Sequence, residues 1–351
     1  MKAFAYLSHG QAGWIEKESP APTGFDGVIR PLLVSPCTSD VHNVAIDCLA
    51  PHRILGHEGL GEIVAVGDQV RDFQVGEIVV VPPVTPDWRT VPSQLGAHQH
   101  CAGLITGQKL SNSEDGLMAE YALIRDLDAN AARIPPGVSR EAAVMAADML
   151  NTGLYGAQLA DVQPGDTVVV MGIGPVGLMA IAGARLRGAG RIIAIGSRPA
   201  GMALAQAYGA TDLVNYKEGD VERQVYQLTR KQGADCCICA GGGPEALGQA
   251  VAMVRWGGTV GNVNYFTTYG DLPINNVRYG FGMGNKTIRG GECPGGRARM
   301  EKLLALIQYG RVDPVPLITH RFQGLAQVED AFRLMAQKPP ELVKTIVDLS
   351  L

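Results

Sequence analysis

Residues 167–198, TVVVMGIGPVGLMAIAGARLRGAGRIIAIGSR, leave this chain less freedom than any other stretch. The β-branched run at 167–171 contains no breaker and reads as a buried strand. It meets Gly172-Ile173-Gly174-Pro175-Val176-Gly177, a G-x-G-x-x-G turn. Behind the turn, residues 178–186 read as an apolar, Ala-rich helix that stops at Gly188 and Gly190. Residues 191–195 read as a second strand. Strand, glycine turn, helix and strand within about 30 residues make a dinucleotide-binding unit. One glycine allows the tight turn, one lets backbone approach a pyrophosphate, and one lets the helix pack closely on the strand. The helix N-terminus then offers unbonded N–H groups and a dipole to the anion.

The residues after the second strand select the cofactor. A site for NAD carries Asp or Glu there, about 20 residues past the turn, to hold the ribose 2′-hydroxyl. Here the tripeptide is Gly196-Ser197-Arg198. It has no carboxylate to repel a 2′-phosphate, and its guanidinium can grip one bidentately. The expected cofactor is NADP.

At 351 residues, a prior of about 150 residues per domain suggests two domains. Net charge −4 and a pI near 6.0 leave no basic footprint for nucleic acid. No run of residues has the length and apolarity of a membrane span, and the polar MKAFAYLSHG start makes a poor signal peptide. Seven cysteines, an odd number in a long chain, form no disulfide framework. These features lead us to expect a cytoplasmic protein.

Residues 1–95 read as β-rich, with runs at 2–7, 27–34, 61–66 and 77–81 punctuated by Gly and Pro, the pattern of a small barrel or sandwich. Residues 85–120 carry few periodic signals and read as one long loop, of the kind that is often functional. His98-Gln-His-Cys101 within it is too tightly spaced for a usual zinc site, so loop hydrogen bonding is the better reading. Residues 140–149 and 152–159 read as two helices, with Asp148 in the first. From 199 to about 290 the α/β alternation continues, with helices expected at 221–232 and 244–254 and a strand at 259–263. Cys236 and Cys239 form a C-x-x-C, but positions three apart on a strand point to opposite faces, which favours buried thiols. The tail reads as two helices, 297–309 and 326–336, and a closing strand, 344–349. An α/β core flanked on both sides by other material implies a discontinuous outer domain.

Cys37, His57 and Glu58 are residue types that zinc prefers, although each has an ordinary structural explanation as a buried thiol or a hydrogen-bonded side chain. Together, in a β-rich region ahead of a nucleotide fold, they suggest a catalytic metal. The motifs Cys37-Thr38-Ser39-x-x-His42, Gly56-His57-Glu58-x-x-Gly61 with Gly67, and Gly172-x-Gly174-x-x-Gly177, with Asp148 between them, carry a resemblance over the full length. The chain resembles the zinc-dependent medium-chain dehydrogenase/reductase family. Within that family it is similar to the NADP-dependent secondary alcohol dehydrogenases, through SPCTSD, TPDWR, GSRP and ECPGGR.

That resemblance implies an α/β fold: a Rossmann doubly wound parallel sheet at 151–293, and a β-rich GroES-like catalytic domain from 1–150 and 294–351. It implies one catalytic zinc on Cys37, His57 and Asp148, with Glu58 as an adjustable fourth ligand. It implies no structural zinc, since only Cys101 stands in the loop where many relatives carry four cysteines. Besides Gly172, Ile173, Gly174, Pro175, Val176 and Gly177, the cofactor would meet Thr38, Gly196, Ser197, Arg198 and Tyr216, with Val263, Asn264 and Tyr265 at the nicotinamide and Lys338 near the phosphates. Ser39 would take the substrate's hydroxyl proton and His42 would relay it outward. The expected partners are a small alcohol or ketone and further copies of the chain in a homotetramer, with no nucleic acid and no membrane. Gln108 and Glu292 stand where relatives place apolar pocket residues. If they face the pocket they favour a hydroxylated substrate, so a polyol dehydrogenase on the same scaffold is an alternative. If Glu292 instead pairs with Arg297 or Arg299, that argument lapses. A non-catalytic NADPH-binding sensor is the reading from another class, but it has no need for both metal ligands and a proton path.

Overall fold

In the computed structural model, residues 1–104, 106–266, 270–276 and 280–350 are described. The chain forms two compact units, Met1–Asp148 with Pro294–Leu351, and Met149–Cys293.

The second unit is built on six parallel strands. In spatial order they are Asp212–Asn215, Arg191–Gly196, Thr167–Met171, Ala234–Cys239, Val254–Asn262 and Thr287–Gly290. Numbered along the unit this is 3-2-1-4-5-6, the doubly wound order. Val168, Val169 and Val170 are fully buried, as a parallel strand covered on both faces requires. Four strands end in one row: Ile195 pairs with Met171, Met171 with Cys239, and Cys239 with Asn262. Gly196, Gly172, Ala240 and Val263 therefore leave the sheet side by side, at the edge where such folds bind ligands.

The glycine turn takes the form its sequence dictates. Gly172 has φ +88° and packs against Gly241. A Cβ on Gly177 would lie 1.7 Å from the Gly172 carbonyl oxygen. A Cβ on Gly174 would meet nothing nearer than the Arg198 Nη2, at 4.0 Å. The helix Pro175–Leu186 begins here with proline in its first turn and no side-chain cap.

Some boundaries differ from the sequence expectation. The strand expected at 259–263 starts at Val254, because Val254 pairs with Ala234 before a register break and the pairing resumes at Thr259 with Cys236. The helix expected to reach 232 stops at Leu228, since Arg230 and Lys231 are left-handed, with φ +52° and +65°. Cys236, Cys237 and Cys239 are buried free thiols.

In the first unit, the hairpin Lys2–Ser8 and Gln11–Glu16 accompanies a seven-stranded sheet. The N-terminal part supplies Gly27–Val34, Gly59–Val66, Ile78–Val81, Ala122–Ile124 and Ala132–Arg133, and the C-terminal part supplies Ile318–Gln323 and Lys344–Asp348. Lys344–Asp348 runs antiparallel to Gly27–Val34, which makes the unit discontinuous. Phe4, Ile29, Val34, Ile63, Val79 and Val328 share its core. Phe4 meets Trp14 and Phe332 edge to face, a favourable aromatic geometry.

The long loop at 85–120 is more structured than its sequence suggests. It contains the helical turn Val91–Gln94, capped by Thr90, and the short 3-10 turn His98–His100. Gly116, Leu117 and Met118 donate backbone bonds to Ile54, Gly56 and Leu55. Caps and long-range backbone bonds of this kind leave no periodic signature. Residues 140–159 also depart from expectation. They form one helical run in which a π turn, Ala146–Leu150, joins Arg140–Met145 to Asn151–Leu159. Such turns insert one residue into a helix and recur at functional sites; Asp148 sits inside this one.

Gly177→Val should destabilise the protein by about 3 kcal/mol or more, because its side chain collides with backbone that cannot yield. Denaturant unfolding measures it, and a wild-type midpoint would refute this account of the turn.

Candidate active site

Cys37 caps the helix Thr38–Ala45, which therefore carries Thr38, Ser39, Asp40 and His42. His57 and Glu58 immediately precede the strand Gly59–Val66. With Asp148 from the π turn, Cys37, His57 and Glu58 each offer a ligand atom within 4.8 Å of the others. Cys37, His57 and Glu58 are buried, and the Asp148 side chain is 13% exposed. His57 Nε2 lies 3.6 Å from Asp148 Oδ2 and 4.0 Å from Glu58 Oε1. Ser39 Oγ is 3.3 Å from the same nitrogen.

The surroundings call for a cation at this point. Burial would lower the His57 pKa, but the Asp40 carboxylate and the bonds to Asp148 and Cys37 hold it well above the ordinary histidine value. Burial pushes the Cys37 thiol up, yet Lys344 and His57 more than offset it and bring it down to about 7. Glu58 Oε2 is buried with no hydrogen-bond partner, a costly state for a carboxylate oxygen. One sulfur, one imidazole nitrogen and two carboxylates fit the coordination chemistry of zinc.

Two residues that the sequence did not flag complete the centre. Asp40 is fully buried, and its Oδ1 accepts from His57 Nδ1 at 3.1 Å, so Nε2 faces the ligand cluster. A carboxylate behind a metal-binding histidine fixes its tautomer and ring orientation. The only trace in the sequence is an acid three residues after Cys37, the spacing of a capping box; Asp40 Oδ2 accepts from the Cys37 N–H at 3.2 Å. Lys344, 286 residues from Glu58, donates to Glu58 Oε1 at 2.6 Å, with both side chains buried. Burial alone would strip the Lys344 proton, and the anions Cys37 and Glu58 hold it in place.

His42 is half-buried on the same helix. Burial lowers its pKa, and the positive charge of Lys338 lowers it further, which places Lys338 within electrostatic reach of His42. Lys338 ends the helix Val328–Gln337 in a left-handed conformation. His98 stacks on Trp88 and accepts from the Gly295 N–H at 3.2 Å, as expected of a loop residue. Arg297 bonds Glu301 and Asp72.

In the second unit the residues expected to meet a nucleotide lie at the ends of the strands. Asn215 pairs with Gly196, so Tyr216 leaves its strand beside Ser197 and Arg198. Tyr216 is 53% exposed. Val263 donates a backbone bond to Cys239, and Asn264 Nδ2 donates to the Gly242 carbonyl at 3.1 Å. Tyr265 is exposed. The open space at Gly174 and the uncapped helix behind it are a cradle that a pyrophosphate can fill.

Two family models match the chain: the alcohol dehydrogenase GroES-like domain over residues 26–136, and the zinc-binding dehydrogenase model over residues 175–309. The chain is 53% identical over 352 residues to the NADP-dependent isopropanol dehydrogenase of Thermoanaerobacter brockii, covering 100% of both chains. It is 50% identical over 351 residues to that of Clostridium beijerinckii, covering 99% of this chain and 100% of the other. Among solved structures, an alcohol dehydrogenase from Thermus sp. ATN1 superposes with a TM-score of 0.87 at 28% identity, covering 99% of this chain and 100% of that one.

Removing the Lys344 charge leaves a buried carboxylate without its partner. Lys344→Met should therefore cost the metal-free protein about 3–5 kcal/mol in urea unfolding, and adding Glu58→Leu should restore most of it. A single substitution within about 0.5 kcal/mol of wild type would show that the pair carries no such weight.

Proposed function

We infer, from the premise that this chain belongs to the zinc-binding alcohol dehydrogenase family, that it is a zinc-dependent oxidoreductase moving a hydride between NADP(H) and a small secondary alcohol or its ketone, aldehydes included. The meeting of Cys37, His57, Glu58 and Asp148 within 4.8 Å carries the reading. Cys37, His57 and Asp148 hold one catalytic zinc, and Glu58, tethered by Lys344, is the reserve ligand. Zinc bound there supplies Lewis-acid polarisation of the substrate oxygen. NADP supplies the hydride-accepting carbon.

The remaining work falls to the chain's own groups. Ser39 receives the hydroxyl proton of the alcohol; its position 3.3 Å from His57 Nε2 supports this role. His42, one helical turn further on, passes the proton outward. Its depressed pKa keeps it neutral and able to accept at neutral pH. In the second unit, Gly172 to Gly177 seat the pyrophosphate, Ser197, Arg198 and Tyr216 bind the 2′-phosphate end, and Val263, Asn264 and Tyr265 border the nicotinamide. Thr38 and Lys338 also contact the cofactor. Gly196 lies where a side chain would strike Ile173, so the strand end stays small and carries no acid.

The protein works in the cytoplasm as a homotetramer. The edge strand Thr287–Gly290, bonded on one side to Val254–Asn262, with exposed Trp256 in that neighbouring strand and exposed Phe281 and Met283 just before the edge strand in the chain, supports an assembled state. Among the described residues, no helix is long and apolar enough to cross a membrane.

Purified protein should oxidise NADPH with small ketones, and NADH far more slowly. A strong zinc chelator should abolish the activity, and added zinc should restore it. Turnover confined to hydroxylated carbonyls would favour the polyol reading, and tight NADPH binding with no turnover would favour the sensor.

The proton path has its own test. The acid limb of kcat/KM for alcohol oxidation should lie below pH 6.5, the ordinary histidine value. Burial does most to depress His42 and Lys338 adds to it, so Lys338→Met raises the His42 pKa part of the way back and moves that limb to higher pH. A limb that stays in place would remove His42 from the relay.

A further inference from the structure

Asp40 is a saturated carboxylate. Its Oδ1 accepts from His57 Nδ1 at 3.1 Å, from the Gly56 N–H at 3.2 Å and from Ser111 Oγ at 2.7 Å, while Oδ2 accepts from the Cys37 N–H at 3.2 Å. Of these four, three come from the metal-binding segments themselves. The shortest comes from Ser111, 71 residues away in the long loop.

Ser111 is held in an unusual way. It is 1% exposed and has φ +63°, in the left-handed region. A serine rarely adopts that conformation, which glycine and asparagine reach more easily. The turn around it is closed by the Asn112 and Glu114 N–H groups, which donate to the Lys109 carbonyl at 3.0 and 2.9 Å. Leu110 is buried in the core of the unit and anchors the turn. The strained residue is thus the one whose side chain reaches Asp40, and strain of this kind collects at functional sites.

We propose that Ser111 is a positioning residue of the metal centre: its hydroxyl locks the Asp40 carboxylate that orients His57, and the left-handed turn persists because it delivers that hydroxyl. The inference rests on the reading of Cys37, His57 and Asp148 as zinc ligands. Groups behind a metal-binding histidine typically change metal affinity by about 10–100-fold. Ser111 acts one bond further out, so its loss belongs at the lower end of that range.

Two substitutions separate the hydroxyl from the backbone. Ser111→Gly removes the hydroxyl and relieves the left-handed strain. It should raise the zinc dissociation constant about tenfold, measured by competition with a chromophoric chelator, and shift the visible bands of the cobalt-substituted protein. The melting temperature of its metal-free form should stay near wild type. Ser111→Thr keeps the hydroxyl on a residue that resists this backbone. It should melt lower yet bind zinc within about twofold of wild type, since the contact to Asp40 survives. Wild-type zinc affinity and an unchanged cobalt spectrum in Ser111→Gly would overturn the proposal. So would a loss of affinity matched by a loss of metal-free stability, because the hydroxyl would then act only through the fold. A wild-type protein that fails to bind zinc would instead overturn the metal reading on which the proposal rests.

Discussion

Three groups that can each carry a negative charge, Cys37, Glu58 and Asp148, lie within 4.8 Å of one another with little or no contact with water. Such a cluster is tolerable only if positive charge is built in around it. The protein supplies one permanent cation, Lys344, and aims one imidazole nitrogen at the same point. A dication bound at this point would balance the thiolate and the Asp148 carboxylate, while Lys344 already faces Glu58. Much of the first unit is arranged to meet this requirement. The helix begun by Cys37, the strand begun after Glu58, the π turn under Asp148 and the strand begun by Lys344 all present their first or most distorted residues to it.

The second unit solves a different problem, a phosphate-bearing ligand held mostly by backbone. Four strand ends in one row bring glycine, alanine and valine to the same edge. At that edge Gly172 and Gly174 carry no side chain, and Arg198 stands at the start of the helix after the neighbouring strand.

How much of this the sequence discloses depends on the distance over which each feature is set. The glycine turn is legible because its tightest constraint lies within six residues: Gly177 is glycine because the Gly172 carbonyl stands where its Cβ would be. Cys37, His57, Glu58 and Asp148 are legible as ligand types and through family resemblance, although nothing in their spacing says that they meet. Asp40 is silent because one acid in SPCTSD looks like an ordinary helix cap, and it is one; its second role exists only once His57 is folded against it. Lys344 gave no signal, since a lysine opening a strand is expected in solvent and its partner lies 286 residues away. The π turn and the left-handed Ser111 are also silent, because tertiary packing imposes them against local preference.

The discontinuity of the first unit has a consequence for the order in which the protein can mature. Its sheet takes two strands from residues 318–348, and the lysine that neutralises Glu58 belongs to the last of them. A chain emerging from the ribosome has the whole nucleotide unit, ending at Cys293, available to fold first, as domains generally do during synthesis. Until residue 344 emerges, the ligand cluster lacks its resident counter-charge and the sheet lacks the strand that follows it. The cluster's own counter-charge therefore arrives only after the nucleotide unit has emerged in full, and a product truncated before residue 318 would hold a complete nucleotide fold and a first unit lacking two of its strands.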